Sequence, residues 1–362
     1  MTLDLKLENI GYSQAGETWL DDIDLTFEAG MSVLIGPTLA GKSTLMRVIA
    51  GLTRPTSGKV IVGGSDVTTT SVRARSVAFV YQQFVNYPSF SVYDNIASPL
   101  IVDGTPSREV RARVLEVADL MDIGTMLNRK PAELSGGQQQ RVAIARALAR
   151  RADVVLLDEP LANLDYKLRE QFRHELATIF KDLESVVIYS TTEPEEALGF
   201  ARETVVIDAG RIQQTGDPVE LYHRPYNLAV AHAMSDPPIN LVEAEVSADG
   251  IRFLGTSARA TDGNIGDRVL LGIRPHQVMV ATDGDHIRFP ADVRVAEVTG
   301  SFTYLHTTVA GDAHFVAQIE GAHEEFEVGE RIELALLPEP VVAFDPGSGK
   351  LLSRLTLGRP DG

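Results

Sequence analysis

The sequence predicts an α/β domain with a largely parallel sheet over about residues 1–235, followed by a small all-β domain of barrel or sandwich type over 236–362. Three observations carry this. Short apolar runs alternate with amphipathic helices up to about residue 230; a glycine-rich turn at 36–43 joins an apolar run to a helical one; and at SDPPINLVEAEV the texture changes to short strand patterns broken by glycine turns.

In chain order, the strand candidates are MSVLIGP, SVAFVYQ, DVVLLDEP, SVVIYST and ETVVID, β-branched runs of buried-strand type. Between them, SREVRARVLEVADLM carries Val110, Val114, Val117 and Met121 at helical spacing, with Ser107 as its expected N-cap. YKLREQFRHELATIFKDL is a second helix whose charges read as a solvated face. Pro237 and Pro238 end the helical texture, and GIRFLG, DRVLLGIRP, HIRFPADVRVAEVTG, YLHTTVAGDAHFVAQIEG and RIELALLP follow as strands. His174 and His223 fall on charged helix faces, and His276 follows Arg-Pro in the β region; none carries evident chemistry.

Composition limits the partners. A formal net charge of −17 disfavours nucleic acid and anionic lipid, both of which reward a positive face. With no cysteine there is neither a disulfide nor a thiolate metal site. No apolar run reaches the roughly 18 residues of a membrane span, and MTLDLKLENI has charge where a signal peptide is apolar, so a cytosolic chain is expected.

The chemistry begins at G-P-T-L-A-G-K-S, a G-x-x-x-x-G-K-[ST] loop between strand and helix, which marks a P-loop NTPase. Candidate nucleotide contacts run through Gly36, Pro37, Thr38, Leu39, Ala40, Gly41, Lys42, Ser43 and Thr44. Backbone N–H groups turn inward around phosphate, Lys42 reaches the β- and γ-phosphates, and the Ser43 hydroxyl ligates Mg²⁺. VVLLDEP then ends a buried strand in two carboxylates: Asp158 to hold Mg²⁺ and Glu159 to activate water. A second anion site is expected where Ser135, Gly136 and Gly137, followed by Gln138, open a helix.

LSGGQ at 134–138 resembles the signature of the ATP-binding cassette family, in which two subunits pair head to tail and each ATP lies between one P-loop and the other chain's signature. The resemblance implies ATP and Mg²⁺ as cofactors and further site residues. Gln82, in FVYQQFVNYPSFSVYDNI, matches the Q-loop glutamine that senses Mg²⁺ and the γ-phosphate. Tyr12 stands at the position of the adenine-stacking aromatic, with Trp19 as second candidate and ordinary core packing as the plain alternative for both. LANLD, ending at Asp165, looks like the D-loop, with Ala162 in place of the usual serine. The β region around LGIRP resembles the regulatory domain of maltose-type importer ATPases, of OB-like barrel type. YQQFVNYP, TTEP and DEPLANLDYKLRE are similar to the paired ATPases of bacterial glycerol importers.

These likenesses imply the ATPase subunit of a bacterial importer for a polyol or sugar, glycerol first. It would sit peripherally on the cytoplasmic face of the inner membrane, beside a second, different ATPase subunit, with a homodimer as the alternative. Permease subunits would dock on the loop carrying Phe84, Tyr87, Pro88 and Phe90, and a substrate-binding protein would act indirectly. A soluble, non-transport cassette ATPase and a purely regulatory nucleotide-binding subunit are the competing classes.

Two positions depart from the family pattern. Leu39 stands where glycine is frequent. Thr192 replaces the switch histidine and carries no charge, so either a water bridges it to the γ-phosphate, or this site is weakened and a different partner supplies the histidine of the second.

Overall fold

A computed structural model describes residues 3–83, 85–162, 164–180, 183–260, 265–282 and 287–358; Phe84 and Asn163 lie outside these, as do the side chains of Tyr166, Lys167 and His174. Contacts divide the chain into two compact units, Met1–Pro218 and Val219–Gly362. This division falls ahead of the expected limit near 235, because helix Leu228–Ala233 packs Leu228 and Ala231 onto Ile239, Val342 and Phe344 of the β region.

The first unit holds two sheets. Strands β1 (Asp4–Gln14), β2 (Glu17–Glu28), β4 (Ser57–Val62) and β5 (Ser65–Asp66) form an antiparallel sheet in the order β2-β1-β4-β5. Its inward residues Leu5, Leu7, Leu20, Ile23 and Phe27 are almost fully buried. Sequence reading passed over this sheet, although the period-two alternation of DLKL and DIDLTF is its signal.

The second sheet has the order β10-β9-β3-β8-β7-β6 and contains all five expected strands: β3 (Gly30–Ile35), β6 (Val77–Val80), β7 (Val154–Asp158), β8 (Val186–Thr191) and β9 (Glu203–Asp208). They pair in parallel, and only β10 (Arg211–Gly216) is antiparallel. Strands β7 and β8 are buried at every residue, which explains their unbroken apolar character. Each fully buried Val, Leu or Ile there contributes about 1.5–3 kcal/mol relative to exposure.

Helices α1 (Lys42–Ala50), α2 (Val92–Val102), α3 (Ser107–Leu120), α4 (Gly136–Ala149), α5 (Tyr166–Phe180) and α6 (Pro194–Phe200) complete this unit. In α3 the expected apolar stripe is buried, but Ser107 is the first helical residue and Pro106 occupies the cap, its ring holding φ at −57°. Among the described residues, no helix is long and apolar enough to cross a membrane.

The second unit is all-β apart from short helices. One antiparallel sheet contains Asn240–Ser247 and Arg268–Ile273, another Ile287–Val298, Phe302–Val309 and Ala313–Glu320, and both contribute to one core. Arg274, of the LGIRP run, is buried and donates to the backbone carbonyl of Met234 at 3.1 Å; burial lowers its pKa to about 10. His276 Nε2 lies 3.4 Å from the Tyr222 hydroxyl, while His223 is exposed.

Candidate nucleotide site

The loop after β3 is held by its two motif glycines. A Cβ on Gly36 would lie 2.0 Å from the Ile207 carbonyl oxygen, so no side chain fits there. Gly41 precedes α1 at φ +110°, with a would-be Cβ 3.2 Å from the Trp19 carbonyl oxygen. Pro37, Thr38 and Leu39 are exposed, Ala40, Gly41 and Lys42 buried, and Thr44 half-buried. Leu39 sits at φ +69°, in the left-handed region that favours glycine, and its side chain is 81% exposed.

Lys42 curls back into the loop. Its Nζ donates to the carbonyl oxygens of Gly36 at 2.6 Å and Pro37 at 3.0 Å, and lies 3.2 Å from Glu159 Oε1. Gln82 Nε2 donates to Glu159 Oε2 at 3.0 Å. Ser43 Oγ donates to Asp158 Oδ1 at 3.0 Å. Residues far apart in sequence thus meet at the C-terminal ends of β3, β6 and β7, where parallel sheets bind ligands.

Ser190 was missed by sequence reading. The register that pairs Asp158 with Ser190 lets its hydroxyl donate to Asp158 Oδ1 at 2.7 Å and accept from the Glu159 N–H at 3.0 Å. Its only sequence signal is a hydroxyl at the end of an apolar strand. Glu159 itself lies at φ +43°, a strained setting of the kind found at functional sites. Burial pushes the Asp158 carboxyl above its ordinary value. A serine hydroxyl beside a desolvated carboxylate suits Mg²⁺, which takes one or two protein oxygens and completes its shell with phosphate and water.

The other expected residues lie apart from this cluster. Ser135 and Gln138 cap α4 reciprocally: the Ser135 N–H donates to Gln138 Oε1 at 3.0 Å and Ser135 Oγ accepts from the Gln138 N–H at 3.4 Å. Gly136 is exposed and Gly137 buried. Asp165 Oδ1 accepts from the Leu168 N–H at 2.9 Å and so helps start α5. The Tyr12 ring is half-buried against the core and its hydroxyl donates to Gln14 Oε1 at 2.7 Å; Trp19 is also half-buried.

Thr192 is exposed just beyond β8. A cavity of about 20 Å³ lies there, lined among others by Glu159, Arg169, Thr192, Glu193 and Glu196. Arg169 is therefore not the solvated charge expected of α5: its Nη1 lies 3.6 Å from Glu193 Oε1. A cavity of about 790 Å³ lies away from this chemistry, beside Ala29, Asp153 and Ser185 at the opposite ends of the same strands.

Residues 20–162 match the family model of the ABC transporter and residues 271–344 that of the TOBE domain. The chain is 40% identical over 338 residues to the sn-glycerol-3-phosphate import ATP-binding protein UgpC 2 of Agrobacterium fabrum, covering 91% of this chain and 90% of that one. It is 37% identical to UgpC of Yersinia pestis bv. Antiqua (95% and 98% covered) and 35% identical to UgpC of Cupriavidus necator (96% and 98%). Among solved structures, cbiO1 of Clostridium perfringens, part of the ABC transporter complex cbiONQ, superposes with a TM-score of 0.55 at 26% identity, over 60% of this chain and 90% of that one. Nothing in these relatives supports a second, different ATPase subunit, so the expected heterodimer lacks support. With a P-loop, a carboxylate pair and a signature in one cassette, a TOBE match behind it and UgpC relatives aligned over nearly the whole length, the chain belongs to the ABC transporter family, as an ATP-hydrolysing cassette subunit that uses ATP with Mg²⁺.

Proposed function

We propose that this chain powers a bacterial importer of sn-glycerol-3-phosphate or a closely related polyol or sugar, as a pair of identical chains on the cytoplasmic face of the inner membrane. The observation that carries the ATPase part is the convergence of Lys42, at 3.2 Å, and Gln82, at 3.0 Å, on the Glu159 carboxylate, beside the Ser43–Asp158 contact. The cargo rests on relatives named for sn-glycerol-3-phosphate import that align over 90–98% of their length.

In this reading the loop amides and Lys42 would bind the phosphates, and Ser43, Gln82 and Asp158 would hold Mg²⁺, which would supply charge neutralisation at the phosphates. Glu159 takes the proton of the attacking water, and Ser190 keeps Asp158 and the Glu159 backbone in place. Ser135 to Gln138 of one copy close over the nucleotide of the other, with Asp165 at the same interface and Tyr12 beside adenine. Identical chains make the two sites alike, which removes the basis for an asymmetric pair. A cavity of about 20 Å³ has room for one water, which supports the bridging-water reading of Thr192.

The test is Glu159→Gln in the purified full-length chain and in the complex with its permease. ATP should still bind and trap a dimer, with turnover reduced by roughly two orders of magnitude. Reconstituted with a cognate binding protein, sn-glycerol-3-phosphate should stimulate ATP hydrolysis more than glycerol or maltose. Near-normal turnover by Glu159→Gln refutes the base; stimulation by another cargo instead refutes the substrate.

A further inference from the structure

Position 192 offers no cation, yet one stands beside it. Arg169 lies one helical turn beyond Asp165 on α5 and lines the same one-water cavity as Glu159 and Thr192. Its Nε is buried and has no hydrogen-bond partner among the described residues. An unsatisfied buried donor is costly, and arginine cannot shed its proton to escape that cost. The cavity is polar on several sides and large enough for a single water, the setting in which buried waters satisfy such donors.

We propose that Arg169 is the positioning residue of this ATPase site: a water seated in the cavity accepts from Arg169 Nε and donates to Glu159, so the positive charge missing at Thr192 is delivered from α5. Resting on the reading of Glu159 as base, this gives Thr192 a definite part. Its short side chain leaves the cavity open, and its hydroxyl supplies a further contact to the same water. The purely structural competitor is plain. Arg169 lies 3.6 Å from Glu193 and interacts electrostatically with the buried Glu196, so it could serve only to balance these carboxylates.

The two roles separate by rescue. In the full-length chain, Arg169→Met should lower kcat for ATP by about ten- to a hundredfold, the loss expected for one charge-assisted contact felt in the transition state, with KM within about twofold. Arg169→Lys should retain part of the rate. Adding Thr192→His to Arg169→Met should restore activity, and the restored rate should fall as pH rises through the histidine range, because only imidazolium carries the charge. Adding Glu193→Gln instead should restore nothing.

Unchanged kcat in Arg169→Met overturns the proposal, as does rescue by Glu193→Gln or a pH-independent rescue by Thr192→His. If Arg169→Met does not fold, Arg169→Lys with and without Thr192→His carries the same comparison. Glu159→Gln is the control: its full activity would remove the underlying base, whereas its inactivity with an insensitive Arg169→Met would remove only the role of Arg169.

Discussion

Lys42 Nζ and Glu159 Oε1 lie 3.2 Å apart, so the phosphate-binding cation and the carboxylate proposed to activate water are bound to each other. Gln82 holds the second Glu159 oxygen at 3.0 Å. In the proposed reading, phosphate in the loop would compete with Glu159 for Lys42, and Gln82 would be among the residues that hold Mg²⁺. In that reading, nucleotide binding and release of the base would be coupled through the Glu159 side chain.

That coupling makes Lys42→Met a test of the resting state as well as of binding. Lys42 is 4% exposed, and its loss strands two loop carbonyls and half of the hold on Glu159. Without nucleotide the variant should be destabilised by about 1–3 kcal/mol. Calorimetry should show a melting point several degrees lower and little further stabilisation by ATP. An unchanged melting point together with a normal ATP-induced rise would remove Lys42 from both roles.

The loop's shape gives a sharper steric expectation. Gly36→Ala places a Cβ 2.0 Å from a backbone oxygen of β9, which no rotamer change relieves, and should cost about 3 kcal/mol and abolish ATP binding. Gly124→Ala meets nothing within 4 Å and should stay within about 0.5 kcal/mol of the parent. Parallel thermal melts and nucleotide titrations decide it; equal behaviour of the two variants would contradict the packing around Gly36.

How much of this was legible in the sequence follows from how local each feature is. The P-loop, the carboxylate pair and the signature each occupy a few consecutive residues with a strand or helix beside them, so their type was readable. Ser190 was not, because its role comes from strand register, and VVIYST has no motif to mark it. Arg169 was hidden differently: helical periodicity places it among solvated charges, and only the arrival of β8 and the turn after it makes it half-buried. The sheet built on β1 and β2 was readable but masked by the stronger parallel-strand pattern that follows.

The loop after Gln82 should receive the permease. Tyr87 and Phe90 are 47% and 41% exposed with ring centroids 5.3 Å apart, and Asn95, fully buried, accepts from the Tyr87 N–H at 2.8 Å. The two exposed rings form an apolar surface that an isolated chain gains nothing by exposing. Replacing Tyr87 and Phe90 by serine should release the chain from membranes carrying the permease while ATP affinity stays within about twofold. Stability should change by less than about 1 kcal/mol, since neither ring is buried. Copurification from detergent extracts measures this, and undiminished assembly would place the docking surface elsewhere.

Asp158 gives the pH dependence. In the metal-free chain its carboxyl is held above the ordinary value of 3.8, burial being the largest cause and the Ser190 and Ser43 hydrogen bonds opposing it. The folded state therefore keeps this proton to higher pH than the unfolded state. The associated stability is complete below the ordinary value, and it is lost as pH rises through the folded one. At neutral pH the carboxylate is a cost that bound Mg²⁺ would offset. Asp158→Asn keeps an oxygen to accept from both serines and removes the charge, so the metal-free variant should melt a few degrees above the parent at pH 7.5, with the gain shrinking towards pH 4. With ATP present, added Mg²⁺ should stabilise the parent and leave the variant unmoved, and the variant should not hydrolyse ATP. Melting curves at the two pH values, each with and without Mg²⁺ and ATP, provide the comparison. A variant that melts lower than the parent by the same amount at both pH values would mean that the Asp158 charge is already compensated without metal.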